Sequence, residues 1–218
     1  MSEPGQAEDG APPAVEPDSR NERPAAAYFR LRGWIPIPFY AAIAALPPAW
    51  RTPRAWVALA AGLAVLLLGC LYRFWAIRFI GHRARTHSQK TRPLVMEGPY
   101  AAHRNPLYVA NILIAVGATL GSGLLWYAPA LGLLLLLHYH IVVLCEEAGL
   151  RERHGASYEE FLAKVPRWFP KLLRREVWLP PRFPVGECLY RERSGILGMT
   201  AAVAVLVAWA WWRTRPGG

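Results

Sequence analysis

Residues 107–145 read LYVANILIAVGATLGSGLLWYAPALGLLLLLHYHIVVLC and contain no Asp, Glu, Lys or Arg. A helix of roughly 20 apolar residues crosses a bilayer. The 39 uncharged residues therefore predict two membrane-spanning helices, Leu107–Leu120 and Leu124–Cys145, joined by a turn at Gly121-Ser122-Gly123. So long a run argues against a soluble globular enzyme and predicts an integral-membrane protein.

Three further apolar segments qualify or nearly qualify as spans: Gly33–Trp50, which four prolines interrupt, Ala55–Ile80, and Gly195–Trp212. The sequence therefore predicts an all-α integral-membrane helical bundle of about five transmembrane helices. We see no internal repeat and no Walker or Rossmann glycine pattern.

Charge is distributed unevenly along the 218 residues, which carry a net charge of +10. Residues 1–27 hold six acidic and two basic side chains and no apolar run, a composition that predicts a disordered acidic tail. Residues 28–218 form the predicted membrane-embedded domain. Basic residues collected on the cytoplasmic side explain the positive charge without nucleic acid as a partner.

The same basic residues predict the orientation. With the amino terminus in the cytoplasm, twenty Lys and Arg lie inside and four outside, in agreement with the positive-inside rule. Residues 81–106 and 146–194 then form two cytoplasmic segments. Heavy use of Ala, Leu and Arg suggests a bacterium with a GC-rich genome, and hence the inner membrane.

Neither of two groups of metal-ligating residue types has the pattern of a metal site. Cys70, Cys145 and Cys188 have no metal or redox spacing and are expected to be inert thiols. His138 and His140 point to different sides of a helix. The sequence therefore predicts no metal site.

The first candidate for chemistry precedes the third span. Gly98-Pro99 indicates a turn, and Pro106 suits the first turn of a helix. Tyr100, Arg104 and Asn105 would then lie at a helix N-terminus, whose free N–H groups attract an anion. The alternative is a Tyr/Arg belt that anchors the helix end at the interface.

The second candidate follows the fourth span at Glu146-Glu147. His140 precedes Glu147 by seven residues, so the two share a helix face. Ionisable groups at a membrane edge suggest function, but the two glutamates are equally compatible with a solvated helix end.

The third candidate runs from Leu150 to Pro170. A short amphipathic helix is expected to end at Gly155, and another to run through Phe161 before an aromatic, proline-bounded turn. Alone, this pattern predicts a membrane-surface segment with Trp and Arg anchors.

Taken together and in this order, residues 69–170 resemble the isoprenylcysteine carboxyl methyltransferase and phospholipid methyltransferase superfamily of integral-membrane enzymes. The matching motifs are an arginine-bearing helix around Arg73, Gly-Pro-Tyr followed by Arg-Asn-Pro-x-Tyr over residues 98–108, and Glu-Glu with Leu150. Gly-x-x-Tyr-x-x-Phe over residues 155–161 and Val-Pro-Arg-x-x-Pro over residues 165–170 complete the pattern.

The resemblance implies a cytoplasmic pocket for S-adenosylmethionine. In it, Glu146 or Glu147 would hold the cofactor's ammonium, Arg104 and the helix N-terminus its carboxylate, and aromatic rings its adenosine or sulfonium. The implied catalytic residues are Arg104, Asn105 and Glu147. The implied cofactor-binding residues are Tyr100, Arg104, Tyr108, His140, Glu146, Glu147 and Tyr158.

The acceptor is expected to be lipid-like and to arrive from the bilayer: an isoprenoid carboxylate, a phospholipid amine, a thiol or a small hydrophobic molecule. An amine acceptor requires a base, for which His103, His140 or a glutamate is available, whereas a carboxylate requires none. Asn105 replaces the His usual in prenylcysteine enzymes, which makes a prenylcysteine carboxylate a less favoured acceptor.

Residues 171–218, a basic proline-rich segment and the last span, lie beyond the resemblance, and residues 171–193 either shape a lipid entrance or anchor the chain. Two alternatives remain: an NADPH-binding membrane reductase of related fold, and a non-catalytic membrane scaffold of the same fold. The oligomeric state is not predicted.

Overall fold

The computed structural model describes residues 28, 31, 34–46, 55–81, 94–190, 192–194, 197, 201, 204, 205 and 208. The predicted tail at residues 1–27 and almost all of the predicted span Gly195–Trp212 lie outside the described residues. Among the residues described, regular structure is entirely helical. The predicted all-α membrane bundle is confirmed for this part of the chain.

Within residues 34–164, as far as the structure describes them, the α-helices are α1 Ile37–Ala45, α2 Ala55–Ile80, α3 Pro99–Ala102, α4 Pro106–Gly121, α5 Tyr127–His154 and α6 Ala156–Lys164. A 3₁₀-helix covers Arg175–Trp178, and residues 185–190 are also helical.

Two of these helices are long and apolar enough to cross a membrane, Trp56–Ile80 and Tyr127–His154, and Pro106–Gly121 is a shorter apolar helix. The predicted span Ala55–Ile80 has the observed bounds of α2. Helix α5 continues past Cys145, the predicted end of the span, to His154, and Gly155 ends it. Glu146 and Glu147 therefore lie within a helix rather than at its end.

The predicted first span, Gly33–Trp50, contains only the nine-residue helix α1 among its described residues. Pro36 immediately precedes that helix, since proline is suited to a helix start and not to its interior. Residues 47–50 are outside the described part of the chain.

Helices α2 and α4 pack antiparallel at very short range through glycine. A Cβ atom on Gly62 would lie 2.2 Å from the backbone nitrogen of Gly121, and one on Gly117 would lie 2.4 Å from that of Leu66. Small residues permit such close backbone approach between helices in a membrane. The crossing fixes the position of α4, and hence of the residues at its first turn.

The hairpin between α4 and α5 turns where the sequence predicted, with Gly123 at φ 82°. Buried Leu131 and Leu135 of α5 then pack with Ala115 of α4 and Ile43 of α1 in one apolar cluster. The ends of α2 and α5 and the start of α4 consequently meet at one end of the bundle.

The chain leaves α5 at Gly155, whose φ of 49° only glycine adopts readily. This confirms the predicted break. Tyr158 and Phe161 of α6 pack with Val165, which directs the following loop back over the end of the bundle.

Candidate active site

Three segments converge at this end of the bundle: residues 103–105 before α4, the last part of α5, and the loop 165–168. The backbone N–H of Arg104 donates to the carbonyl of Pro166 at 3.0 Å. The side-chain nitrogen of Asn105 donates to the carbonyl of Arg167 at 3.1 Å. These bonds hold the loop against the start of α4.

Glu147 lies at the centre of this arrangement with 2% of its surface exposed. Arg167 grips it through two hydrogen bonds, from Nε to Oε1 at 3.0 Å and from Nη2 to Oε2 at 2.7 Å. Arg104 Nη1 lies 3.5 Å from the same Oε1. The interpretation of Glu147 as a solvated helix end is therefore wrong, because the returning loop covers it.

The cluster carries more positive than negative charge. Burial lowers the pKa of Arg104, and Glu147 partly restores it. The hydrogen bonds to Glu147 raise the pKa of Arg167. Arginine stays protonated in proteins, so two cations face one carboxylate. Arg104 Nε is buried and, among the residues described, has no hydrogen-bond partner.

Glu146 has different surroundings, as expected for a neighbour about 100° away around the helix. Its Oε1 accepts a hydrogen bond from the hydroxyl of Tyr108 at 2.8 Å. The Tyr108 ring stacks on Tyr139 with 4.7 Å between centroids. Glu146 is half-buried. Its carboxylate lies outside the arginine pair, and Tyr108 of α4 holds it instead.

His140 shares a helix face with Glu147, as the seven-residue spacing predicted. Trp168 Nε1 lies 3.2 Å from His140 Nδ1, and the neighbouring Arg167 binds Glu147. The two adjacent loop residues therefore reach the same face of α5 one after the other.

Tyr100 and Tyr158, both predicted to contact cofactor, lie buried in apolar clusters. Tyr100 packs with Phe79 and Val95, and Tyr158 with Phe161 and Val165. Burial and the Glu147 carboxylate raise the pKa of Tyr158 to about 12.

His103, one of the possible bases named from the sequence, forms a buried pair with Tyr72. It is 1% exposed, and its Nε2 lies 2.6 Å from the Tyr72 hydroxyl of α2. Burial lowers the pKa of His103 to about 4, against a smaller opposing effect of a hydrogen bond with the backbone of Arg167. The imidazole is consequently neutral at physiological pH.

Arg167 is the residue that sequence reasoning did not assign to the site. The sequence could have pointed to Arg167, because it is the arginine of the Val-Pro-Arg-x-x-Pro motif. The motif gave no indication of a partner twenty residues earlier.

The motifs described above meet at one end of an apolar bundle, and comparison with known proteins gives the same family. Residues 57–157 match the family model for phospholipid methyltransferase. The resemblance to the integral-membrane methyltransferase superfamily is confirmed. Tyr158, Arg167 and Trp168 lie just beyond the phospholipid methyltransferase segment.

Two curated bacterial proteins are similar to about half of the chain. One is the nickel-cobalt-cadmium resistance protein NccN of Alcaligenes xylosoxydans xylosoxydans, 29% identical over 52% of this chain and 50% of its own length. The other is the cobalt-zinc-cadmium resistance protein CzcN of Cupriavidus metallidurans, 29% identical over 56% of this chain and 52% of its own. The chain thus spans about half the length of these curated relatives.

No solved structure matches the chain. Within the described residues, no three His, Cys, Asp or Glu side chains are grouped so that they could hold a metal ion, and none of the three cysteines forms a disulfide bond.

Proposed function

We propose that this protein binds S-adenosylmethionine at the end of the bundle where Arg104, Glu146, Glu147 and Arg167 meet, and transfers its methyl group to a lipid-like acceptor. The observation that carries the proposal is the pairing of one buried glutamate, Glu147, with two arginines. It lies where the motifs of the phospholipid methyltransferase segment converge.

The charge of this cluster fits one end of the cofactor. Arg104 and Arg167 exceed Glu147 by one positive charge, and Arg104 retains a buried donor, Nε, without a hydrogen bond in the described structure. A carboxylate is an acceptor that forms strong, charge-assisted bonds with guanidinium groups. Arg104 is therefore the residue that would bind the carboxylate of S-adenosylmethionine.

Glu146 fits the other charged group of the same amino acid moiety. Glu147 is fully engaged by two arginines, whereas Glu146 is outside that pair, next to the stacked rings of Tyr108 and Tyr139. Of the two glutamates, Glu146 is thus the one that would bind the ammonium, and the Tyr108 ring is a suitable face for a cation.

The cofactor supplies a methyl group activated as a sulfonium. The protein's own contribution is to bind and orient the reactants and to exclude water, because proximity and desolvation account for much of such a transfer. Glu147 fixes Arg104 and Arg167, and Asn105 fixes the loop that covers them.

The membrane supplies the acceptor in this proposal. Leu67, Leu68 and Leu71 of α2 are exposed on the bundle, as expected for side chains that contact acyl chains. We place the site on the cytoplasmic side of a bacterial inner membrane, because twenty of the basic residues fall on that side when the amino terminus is cytoplasmic.

The test is incubation of membranes that contain the protein with S-adenosylmethionine labelled with tritium in the methyl group. Lipid, protein and volatile fractions are counted separately. We expect label in the lipid fraction with the unaltered protein and at least ten-fold less with Glu146→Gln or Glu147→Gln. Glu160→Gln is the matched control, because Glu160 has a 68% exposed side chain and pairs with Lys164 on the surface of α6.

Equal label in all four samples would contradict the proposal. Label confined to protein would contradict the lipid-like acceptor while leaving methyl transfer intact. The acceptor class and the activity are thereby tested separately.

A further inference from the structure

Arg73 is a charged residue inside a span. It lies seven residues before Ile80, the last residue of α2, so about 10 Å of helix separates it from the end of the bundle. A charge at such depth is costly and is usually paired or used to bind a ligand. Arg73 Nη1 donates to Asn111 Oδ1 of α4 at 2.9 Å.

A polar chain continues from this pair through the bundle. The side chain of Tyr139 on α5 interacts with those of Asn111 on α4 and Tyr40 on α1. Tyr139 also stacks on Tyr108, whose hydroxyl donates to Glu146. The chain therefore leads from Arg73 to the carboxylate that we assign to the cofactor's ammonium.

A negative charge near Arg73 comes from Glu192, which lies beyond the segment that matches the family model, residues 57–157. Arg73 Nη2 lies 3.6 Å from Glu192 Oε2, a separation too long for an N–H···O hydrogen bond. The Arg73 side chain is 24% exposed and that of Glu192 only 7%. A guanidinium has five N–H donors, and the single hydrogen bond from Arg73 that the described part of the chain shows is the one to Asn111.

We propose that Arg73 and Asn111 form the subsite for an anionic oxyacid group, phosphate or carboxylate, on the lipid-like acceptor. Glu192 is the internal counter-ion that gives way when the acceptor binds. The Glu192 carboxylate moves out to water as the acceptor anion takes its place, so that Arg73 faces one buried anion before and after binding and no ion is left unpaired. The guanidinium is suited to both groups because its donors match their oxygens in pairs.

This subsite rests on the proposed function and specifies its acceptor. Asn111 follows Tyr108 by three residues on α4, so about 4.5 Å separates them along the helix axis. If Arg73 binds the anionic group of the acceptor, a nucleophilic atom elsewhere on the same acceptor would lie near Tyr108 and Glu146. The acceptor is then a lipid whose anionic group is distinct from the atom that receives the methyl group.

The experiment measures lipid binding to the purified full-length chain in a neutral detergent, by native mass spectrometry. The probes are dioleoyl phosphatidic acid, oleate, uncharged dioleoylglycerol and inorganic phosphate. Arg73→Gln is expected to weaken binding of phosphatidic acid at least ten-fold. Glu192→Gln is expected to strengthen it at least three-fold, because the competing carboxylate is gone.

Arg78→Gln is the matched control on the same helix, because Arg78 donates to the carbonyl of Phe183 and lies outside the polar chain. Its affinity for phosphatidic acid should stay within two-fold of the unaltered protein. Phosphatidic acid and oleate distinguish phosphate from carboxylate, and dioleoylglycerol should bind all variants equally.

Affinity changes of the same sign in Arg73→Gln and Glu192→Gln would overturn the subsite, since a purely structural ion pair loses its function when either partner is removed. If Arg73→Gln does not fold, Glu192→Gln decides alone: no gain in affinity overturns the subsite. Inorganic phosphate that binds as tightly as phosphatidic acid would overturn the assignment to a lipid.

Binding of S-adenosylhomocysteine, measured on the same preparations, keeps the two proposals apart. If Arg73→Gln and Glu192→Gln do not change the affinity for phosphatidic acid as expected, while S-adenosylhomocysteine still binds, only the subsite is refuted. Absence of S-adenosylhomocysteine binding in the unaltered protein, with the lipid effects intact, retires the cofactor assignment alone.

Discussion

Arg167 and Glu147 are twenty residues apart in the chain and form a two-point ion pair with N···O distances of 3.0 and 2.7 Å. The carboxylate is buried, and the ion pair links the loop that carries Arg167 to α5. Arg104 shares the same carboxylate, so one glutamate orients both arginines of the candidate site.

Glu147→Gln should lower the free energy of unfolding by about 3 kcal/mol, because removal of one partner leaves buried positive charge uncompensated. It should also weaken S-adenosylhomocysteine binding at least ten-fold, since Arg104 and Arg167 lose their common anchor. Unfolding in a denaturing detergent titration and equilibrium binding measure the two effects. Glu160→Gln should change neither, and normal cofactor binding by Glu147→Gln would retire the site assignment.

Gly117→Ala should destabilise the bundle by about 1–3 kcal/mol, the usual cost of forcing an extra group into a packed interface. The new Cβ would lie 2.4 Å from the backbone nitrogen of Leu66, a contact that no rotamer relieves. Gly186→Ala is the control, because a Cβ at Gly186 meets nothing within 4 Å. Comparable unfolding curves for the two variants would refute the close approach of α2 and α4.

Stability should fall as the pH decreases from 7 to 5. Burial gives His103 a pKa of about 4 in the folded protein, below its ordinary value of 6.5. Between these values the unfolded chain binds more protons than the folded one, so stability is retained above pH 6.5 and lost as the pH falls towards 4. The expected loss between pH 7 and pH 5 is about 2 kcal/mol.

His103→Gln is the comparison for that pH profile. Its unfolding free energy should be lower at pH 7 but should vary less between pH 7 and pH 5. An identical pH slope in the variant and the unaltered protein would show that other groups cause the dependence.

Asn105→Asp should impair cofactor binding more than Asn105→Ala does. The amide nitrogen of Asn105 donates to the Arg167 carbonyl at 3.1 Å. Alanine only removes this bond, which is worth about 1 kcal/mol, whereas a carboxylate opposes the carbonyl oxygen directly and attracts Arg104 away from Glu147. Binding of S-adenosylhomocysteine to both variants provides the measurement, and equal affinities would argue against the Asn105–Arg167 contact.

The membrane helices could be predicted from local sequence because the free energy of transfer into lipid depends on the apolar length of each segment. Ala55–Ile80 was predicted with its observed bounds, and the turns at Gly123 and Gly155 are where glycine makes them possible. The helix of the fourth span does not stop at the predicted end of the span, Cys145, but continues to the predicted break at Gly155. A helix can extend past its apolar part when its polar residues find partners, and Glu146 and Glu147 do so.

The sequence by itself determined that the protein is an all-helical membrane bundle and that its polar motifs resemble those of membrane methyltransferases. Only the tertiary structure decided which charges pair. It distinguishes Glu147, enclosed by two arginines, from Glu146, bonded to Tyr108, although the two are adjacent and identical in type. It also brings Glu192 to Arg73 across more than a hundred residues. The physical reason is that the transfer of a segment into lipid depends on that segment's own residues. An ion pair depends on which distant parts of the chain become neighbours in the folded structure.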